Sequence, residues 1–270
     1  MKRISVAVLC LAVLASAQSP PDPPNPAPKD PQAVALAQRA LAAMGAVSGL
    51  LASDSLATGT LTLYGENIKG GNTVAMVLKT KGRKLVRVEL QRDSGTTVRI
   101  LNDGQGTIQR PDGTVRHLLM NNTFGERVSH IPALSLLAEN DDAIVEVEQA
   151  GQATVSGQPA DLVALSVVPT SDEKQAPYFR SQTRTTFWVD QMSSFVTKMQ
   201  YVLAAENDSN VQSQIETIFS DYRNVKGLWV PFHQSTYADG NLESDLVLTS
   251  VEFNVGLSDS EFALPQVRRP

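Results

Sequence analysis

Cysteine is all but missing from this chain: the one instance, Cys10, lies in an apolar N-terminal run. With that run read as a cleaved leader, as argued below, the remainder has no disulfide, no thiolate nucleophile and no cysteine metal ligand. Its fold must then rest on an apolar core instead of covalent cross-links. Histidine is nearly as scarce. His117, His130 and His233 each stand without a partner at a metal-ligand spacing such as His-x-x-x-His, so no metal and no cofactor is expected. No serine lies in a Gly-x-Ser-x-Gly elbow, and the glycines fall in turn contexts instead of a phosphate loop. Catalytic residues are therefore expected to be none, and the protein not an enzyme.

Positive charge is in deficit too. The chain has 23 Lys and Arg against 28 Asp and Glu, a net of −5, and loss of Lys2 and Arg3 leaves 21 against 28, a net of −7. Nucleic-acid binding rests largely on phosphate neutralisation, so no nucleic-acid partner is expected. A membrane-crossing helix needs roughly 18–20 apolar residues, and the run from Ile4 to Leu14 falls short of that. With Lys2-Arg3 before it and Ala15-Ser16-Ala17 after it, residues 1–17 read as a secretory signal peptide cleaved after Ala17. Leu9 is not the small residue a lipoprotein signal peptidase accepts ahead of Cys10, so a lipid anchor is not expected. The mature chain is expected in the periplasm or secreted, and not as an integral membrane protein.

Residues 18–31 form a proline-rich linker that should run extended, and residues 32–270 read as one domain. That domain opens with a helix. Asp30 suits the N-cap, Pro31 the first turn and Gly45 the end, with Val34, Ala37, Leu41 and Met44 as one apolar stripe. From Ala57 the period changes to two. Thr58, Thr60 and Thr62 alternate with Gly59, Leu61 and Leu63; similar alternation marks 74–79 and 86–90, and Val98 and Ile100 alternate with Arg99, which sets Arg99 on the wet face. Turn residues separate the runs at Gly70-Gly71-Asn72, Lys81-Gly82, Asp93-Ser94-Gly95, Asn102-Asp103-Gly104 and Pro111-Asp112-Gly113. A short helix is expected over Ile131 to Glu139, and Thr170 to Gln182 reads as a long loop. Strands are expected at 144–148, 152–155, 160–168, 184–189, 195–203, 212–222, 229–237 and 246–253. About a dozen strands exceed what one flat sheet holds, so the sheet must curl. The expected class is mainly β (α+β): a strongly curved antiparallel sheet forming an unclosed barrel, with two or three helices as a lid.

Few side chains ask for a special role. Asp141-Asp142 fits a solvated turn, Asp190 should bond turn amides, and Asp221 fits a cross-strand charged pair. Asn121 and Asn207 begin Asn-x-Ser/Thr triplets, which matter only in a glycosylating host. What remains is apolar strand surface. Leu63, Met76, Val88, Phe187, Met199, Phe219 and Trp229 each have an apolar neighbour two positions away, which suits an inward face. They are the candidate ligand-binding residues, with plain core packing as the alternative.

Phe187-Trp188-Val189-Asp190 followed by Val196-x-Lys198, and Phe219-Ser220-Asp221-Tyr222-Arg223 leading into Gly227-Leu228-Trp229-Val230-Pro231, carry a resemblance. Together with the signal peptide, the Ala-rich helix ending at Met44-Gly45 and the threonine-rich first strand, their order resembles the LolA/LolB-like superfamily. These are periplasmic lipoprotein carriers and outer-membrane lipoprotein-sorting proteins. The resemblance spans roughly Pro31 to Pro265 and implies an unclosed barrel whose helices cover an apolar cavity. It also implies shielding of a lipid or acylated protein. One departure is that no single arginine answers to the family's lid-locking residue. Two alternatives stand beside a carrier: an envelope scaffold that binds a protein partner by an edge strand or the proline leader, and a secreted hydrolase whose residues converge from distant strands.

Overall fold

Local capping sets the first helix. Asp30 accepts from Gln32 N (2.7 Å) and Ala33 N (3.0 Å), and helix α1 runs Pro31–Ala43. Its buried stripe is Ala33, Leu36, Ala37, Ala40 and Leu41 with Met44; Val34 sits at the stripe's margin, one position off the expected line. At Gly45 the chain takes φ +86°, and a Cβ there would collide with the Gly227 carbonyl. That close approach lets Trp229 N donate to Met44 O at 2.9 Å, docking the helix end on a strand turn.

The structure, a computed structural model, describes residues 27–46, 53–65, 68–119, 122–123, 136–169, 172–205 and 208–265. The signal peptide, most of the proline-rich stretch, His130, Asn121 and Asn207 lie outside the described residues. Among the described residues, thirteen strands and one further α-helix follow α1. They are β1 (Asp54–Gly65), β2 (Ile68–Lys81), β3 (Leu85–Arg92), β4 (Gly95–Asn102), β5 (Gln105–Gln109), β6 (Val115–His117), β7 (Val145–Val155) and β8 (Gln158–Val167). Helix α2 (Ala176–Thr183) precedes β9 (Thr185–Asp190), β10 (Val196–Ala205), β11 (Asp208–Val225), β12 (Leu228–Ala238) and β13 (Asn241–Phe253).

All strands join one antiparallel sheet in the order β6-β5-β4-β3-β2-β1-β13-β12-β11-β10-β9-β8-β7. Every neighbour is a chain neighbour except β1 and β13, where Ser55 faces Phe253. The sheet is an open bowl with edges β6 and β7. Thr58 and Thr62 point outward and bond Ser250 and Thr73, while Ala57, Gly59, Leu61 and Leu63 point inward. Helix α1 packs on β7 and β8 and fills the inward side there, so one cluster joins Leu36, Ala37 and Met44 to Leu165, Phe187 and Met199.

Several segments depart from expectation. Gly70-Gly71-Asn72 is not the turn but part of β2; Gly71 (φ +77°) forms a bulge where Leu63 faces Asn72 and Gly65 faces Ile68. The expected strands 144–148 and 152–155 are one strand, β7, bulged between Gln149 and Gly151. The expected loop 170–182 holds α2, opened by Pro177 and tied down by Arg180, which donates twice to Glu146 at 2.6 Å. Of the helix expected over 131–139, the described part is one 3-10 turn, Leu136–Glu139. The linker's last residues also belong to the body. Ala27 N donates to Ala143 O just ahead of β7, Pro28 O and Asp30 N bond Val147 within it, and Lys29 Nζ donates to the carbonyls of Asn140, Asp142 and Val145 at 2.7–2.9 Å. Edge β7 is thereby covered and edge β6 is only three residues long, which leaves little edge for a partner strand.

Beyond β13 the chain straps across the outward face of β2–β4. Asp54, 4% exposed, accepts from Val255, Gly256 and Leu257 N at 2.7–3.0 Å, and Phe262 is fully buried. Lys79 and Arg87 hold Glu261, by side chain and by carbonyl.

Asp190 behaves as its turn position predicts, accepting from Met192 N, Ser193 N and Ser193 Oγ at 2.7–3.1 Å. The Ser193 backbone N–H, foremost among these bonds, holds its carboxyl below the usual 3.8. A depressed carboxyl stabilises the fold above its unfolded value, and that contribution fades as pH falls through the folded one. Asp190→Asn should therefore be less stable at neutral pH, yet lose less further stability below about pH 4. Urea midpoints at neutral and acid pH check this; an equally steep acid loss in the variant would assign the sensitivity elsewhere.

Candidate ligand-binding cavity

Burial along the inward face changes from one end of the bowl to the other. Near the β2–β3 and β4–β5 turns the face is closed: Ala57, Leu78, Val86 and Leu101 are at most 5% exposed, and Ser55 and Thr80 bond each other at 2.6 Å. Toward the β3–β4 and β12–β13 turns, Leu61, Leu63, Val88, Leu90 and Ile108 are only half-buried although they point inward. They enclose a cavity of about 320 Å³. That is the low end of the roughly 300–1,000 Å³ of small-molecule sites.

Strand register explains the wall. Leu61 faces Leu246 on β13, Met76 faces Leu90, and Leu78 faces Val88, so aliphatic pairs run across β13-β1-β2-β3. Gln234, Thr236 and Ser244 line the β12–β13 side, Tyr201 the β10 side, and Arg92, Thr97 and Arg99 the β3–β4 side. The cavity is apolar on its floor and polar at its flanks. Its chemistry is burial of an apolar body with a few fixed polar contacts.

Of the seven residues singled out in the sequence, Leu63, Met76 and Val88 line this cavity. Phe187, Met199 and Phe219 share the inward face but lie in the packed half, at most 4% exposed, where α1 and the surrounding core leave no room. Trp229 points outward: its neighbours Leu228 and Val230 are buried, whereas Trp229 is 36% exposed with its ring 5.6 Å from Phe195. Leu61, Leu90, Ile108 and Leu246 line the cavity as well and are not among the seven, though Leu90 continues the Val86–Val88 alternation by one step. Alternation alone places Arg99 on the wet face. Arg99 instead lines the cavity and Ile100 is buried outward, because the C-terminal strap covers that side of β4.

Two polar features stand apart from this cavity. A groove of about 510 Å³ lies between α1 and the β7–β8 ladder, with Gln32, Arg39, Gln152 and Asp161 in its wall. Burial works against the Asp161 charge, but bonds from Gln152, Gln191 and Arg39 hold its carboxyl below the usual range. This polar wall is already internally paired. On the outward face, His233 Nε2 meets Asp245 Oδ1 at 2.8 Å and His233 Nδ1 meets Ser220 Oγ at 3.0 Å. Ser235 Oγ also donates to Asp245 at 2.7 Å. These residues sit side by side on β11, β12 and β13 and line neither cavity, so the line reads as a cross-strand polar ladder. Asp221 pairs with Arg223 two residues on instead of across strands. Among the described residues no cluster of His, Cys, Asp and Glu could hold a metal, and no helix is long and apolar enough to cross a membrane.

No protein-family model matches the sequence, and no curated protein matches it. Solved structures do match in shape. An outer membrane lipoprotein-sorting protein domain from Vibrio parahaemolyticus is 16% identical, with 86% of this chain and 96% of that one covered and a TM-score of 0.57. A DUF1329 family protein from Desulfovibrio piger is 13% identical, with 86% and 96% covered and a TM-score of 0.58. A LolA superfamily protein from Nitrosomonas europaea is 9% identical, with 86% and 97% covered and a TM-score of 0.56. At these identities the likeness is one of architecture: the chain has the unclosed-barrel fold of the LolA-superfamily and lipoprotein-sorting structures.

Proposed function

We propose that this chain is an exported, non-enzymatic carrier or binding protein that shields a lipid, lipoprotein or similar apolar ligand in its bowl. The observation that carries the reading is the half-filled inward face: aliphatic side chains aimed at the core but left partly wet. A globular protein normally closes such a face with its own side chains. Each methylene buried against it contributes about 0.8 kcal/mol, so one acyl chain suffices for useful affinity. The fold supports the same role, since one matching structure is described as a lipoprotein-sorting domain. The leader-like residues 1–17 support a periplasmic or secreted setting, in which an envelope protein would load or receive the ligand.

Leu63 offers the test, because it lines the cavity and is half-buried, so a charge there spares the packed core. Leu63→Glu should weaken binding of the neutral probe N-phenylnaphthylamine by about tenfold or more, with an unchanged circular dichroism spectrum. Unaltered probe affinity in a folded variant would reject the cavity as the binding site.

A further inference from the structure

What bounds the cavity decides what it can hold. Its floor is Ala57, Leu78 and Leu101, each at most 2% exposed, with the Ser55–Thr80 bond beyond them on β1 and β2. A strut closes the next side. Asn122 Nδ2 donates to Ala204 O at 2.8 Å and Asn122 Oδ1 accepts from Ala204 N at 2.9 Å, while Thr123 Oγ1 donates to Gly104 O at 3.0 Å. Two adjacent residues thereby tie the β4–β5 turn to β10 on the other wing of the sheet, each anchor a few residues along from the wall residues Ile108 and Tyr201. A Cβ on Gly106 would lie 2.8 Å from Leu118 and 2.9 Å from Thr123, so the joint has no slack. The third bound is α1, which together with Phe187 and Met199 fills the other half of the inward face. Toward the β3–β4 and β12–β13 turns the cavity is open, and there the wall turns polar with Arg92, Thr97, Thr236 and Ser244.

A methylene takes up about the room of a water molecule in the liquid, roughly 30 Å³, so a cavity of 320 Å³ holds about ten of them. Resting on the carrier role proposed above, we infer that the site takes a single-chain amphiphile and grips about ten carbons of its one chain, counted from the methyl end. The methyl end leads because the wall is aliphatic at depth, with Leu61, Met76 and Val88, and polar at the mouth, where the head stays in water. Carbons beyond the tenth remain outside and add nothing to affinity. A second acyl chain has no place, because the space it would need is the packed half of the bowl, and a close-packed interior does not yield to a guest without losing its own contacts. Lipids with two or three chains are therefore held by one chain only.

The test is a chain-length series, with n-alcohols from hexanol to hexadecanol competing against N-phenylnaphthylamine on the full mature chain. Affinity should rise about fourfold per added methylene up to decanol, then change by less than about twofold from dodecanol to hexadecanol. A rise that continues unbroken to hexadecanol would overturn the ten-carbon limit and leave the carrier role standing. Competition by no alcohol would overturn both. The single-chain claim has its own arm. Didecanoylphosphatidylcholine, kept below the concentration at which it aggregates, should bind within about twofold of its one-chain lyso form; a gain of about tenfold or more from the second chain would overturn the claim. Val88→Phe, which thickens the wall at a half-buried position, should bring the break to a shorter alcohol, and an unmoved break in a folded variant would mean that this cavity does not set the limit. If that variant fails to fold, the wild-type series still decides.

Discussion

Phe187→Ala is expected to lower stability by about 3–5 kcal/mol, a large part of the 5–15 kcal/mol that holds a typical domain together. Phe187 is fully buried on β9, where it faces Met199 on β10 and Val163 on β8, both fully buried too. The void left behind has no route to collapse, because α1 and the sheet clamp this half of the bowl. Urea unfolding reads the change as a fall in midpoint at constant slope. Leu63→Ala gives the contrast. Its side chain already borders open space, so about 1 kcal/mol or less is expected there. Similar costs at both positions would mean that the two halves of the inward face are packed alike, and the hollow would not exist.

Asp54→Ala comes next, with an expected loss of about 2–4 kcal/mol. One carboxylate answers three successive backbone donors, Val255, Gly256 and Leu257, at the point where the chain leaves β13. Alanine would strand those amides beside the sheet with no acceptor, and the strap that carries Phe262 would lose its anchor. Hydrogen exchange locates the effect: amides 255–257 should lose protection first, ahead of global unfolding. Retained protection at those amides in the variant would show that Phe262 and the Lys79–Glu261 pair hold the strap unaided.

Much of the architecture was legible because its causes are local. Capping by Asp30 and Pro31 needs no knowledge of the rest of the fold, and the alternation of threonine and leucine in β1 directly names its two faces. Asp190 likewise acts on amides two and three residues away. Legibility stopped where one residue type serves two purposes. Gly70-Gly71 suits a turn and a bulge equally, and only the pairing with β1 chooses between them. Helix α2 spans eight residues, too few to display a helical period. The cavity was half legible for a different reason. Alternation tells which way Met76 and Phe187 point, but not how far α1 reaches across the sheet, and that reach makes one a wall residue and the other core. Arg99 was misplaced because the cover over its strand comes from the C-terminal strap, about 160 residues further along the chain.

The pairing of β1 with β13 has a consequence for how the molecule comes into being. The first strand made and the last are partners at the middle of the sheet. A chain delivered end-first, from a ribosome or through a pore, presents β1 long before its second neighbour exists. Two fans of hairpins can grow independently, but the hinge line that unites them must wait for the final strand and pays the slow closure of a very long loop. Until then each fan shows an unmated inner edge, so assembly of the bowl waits on β13.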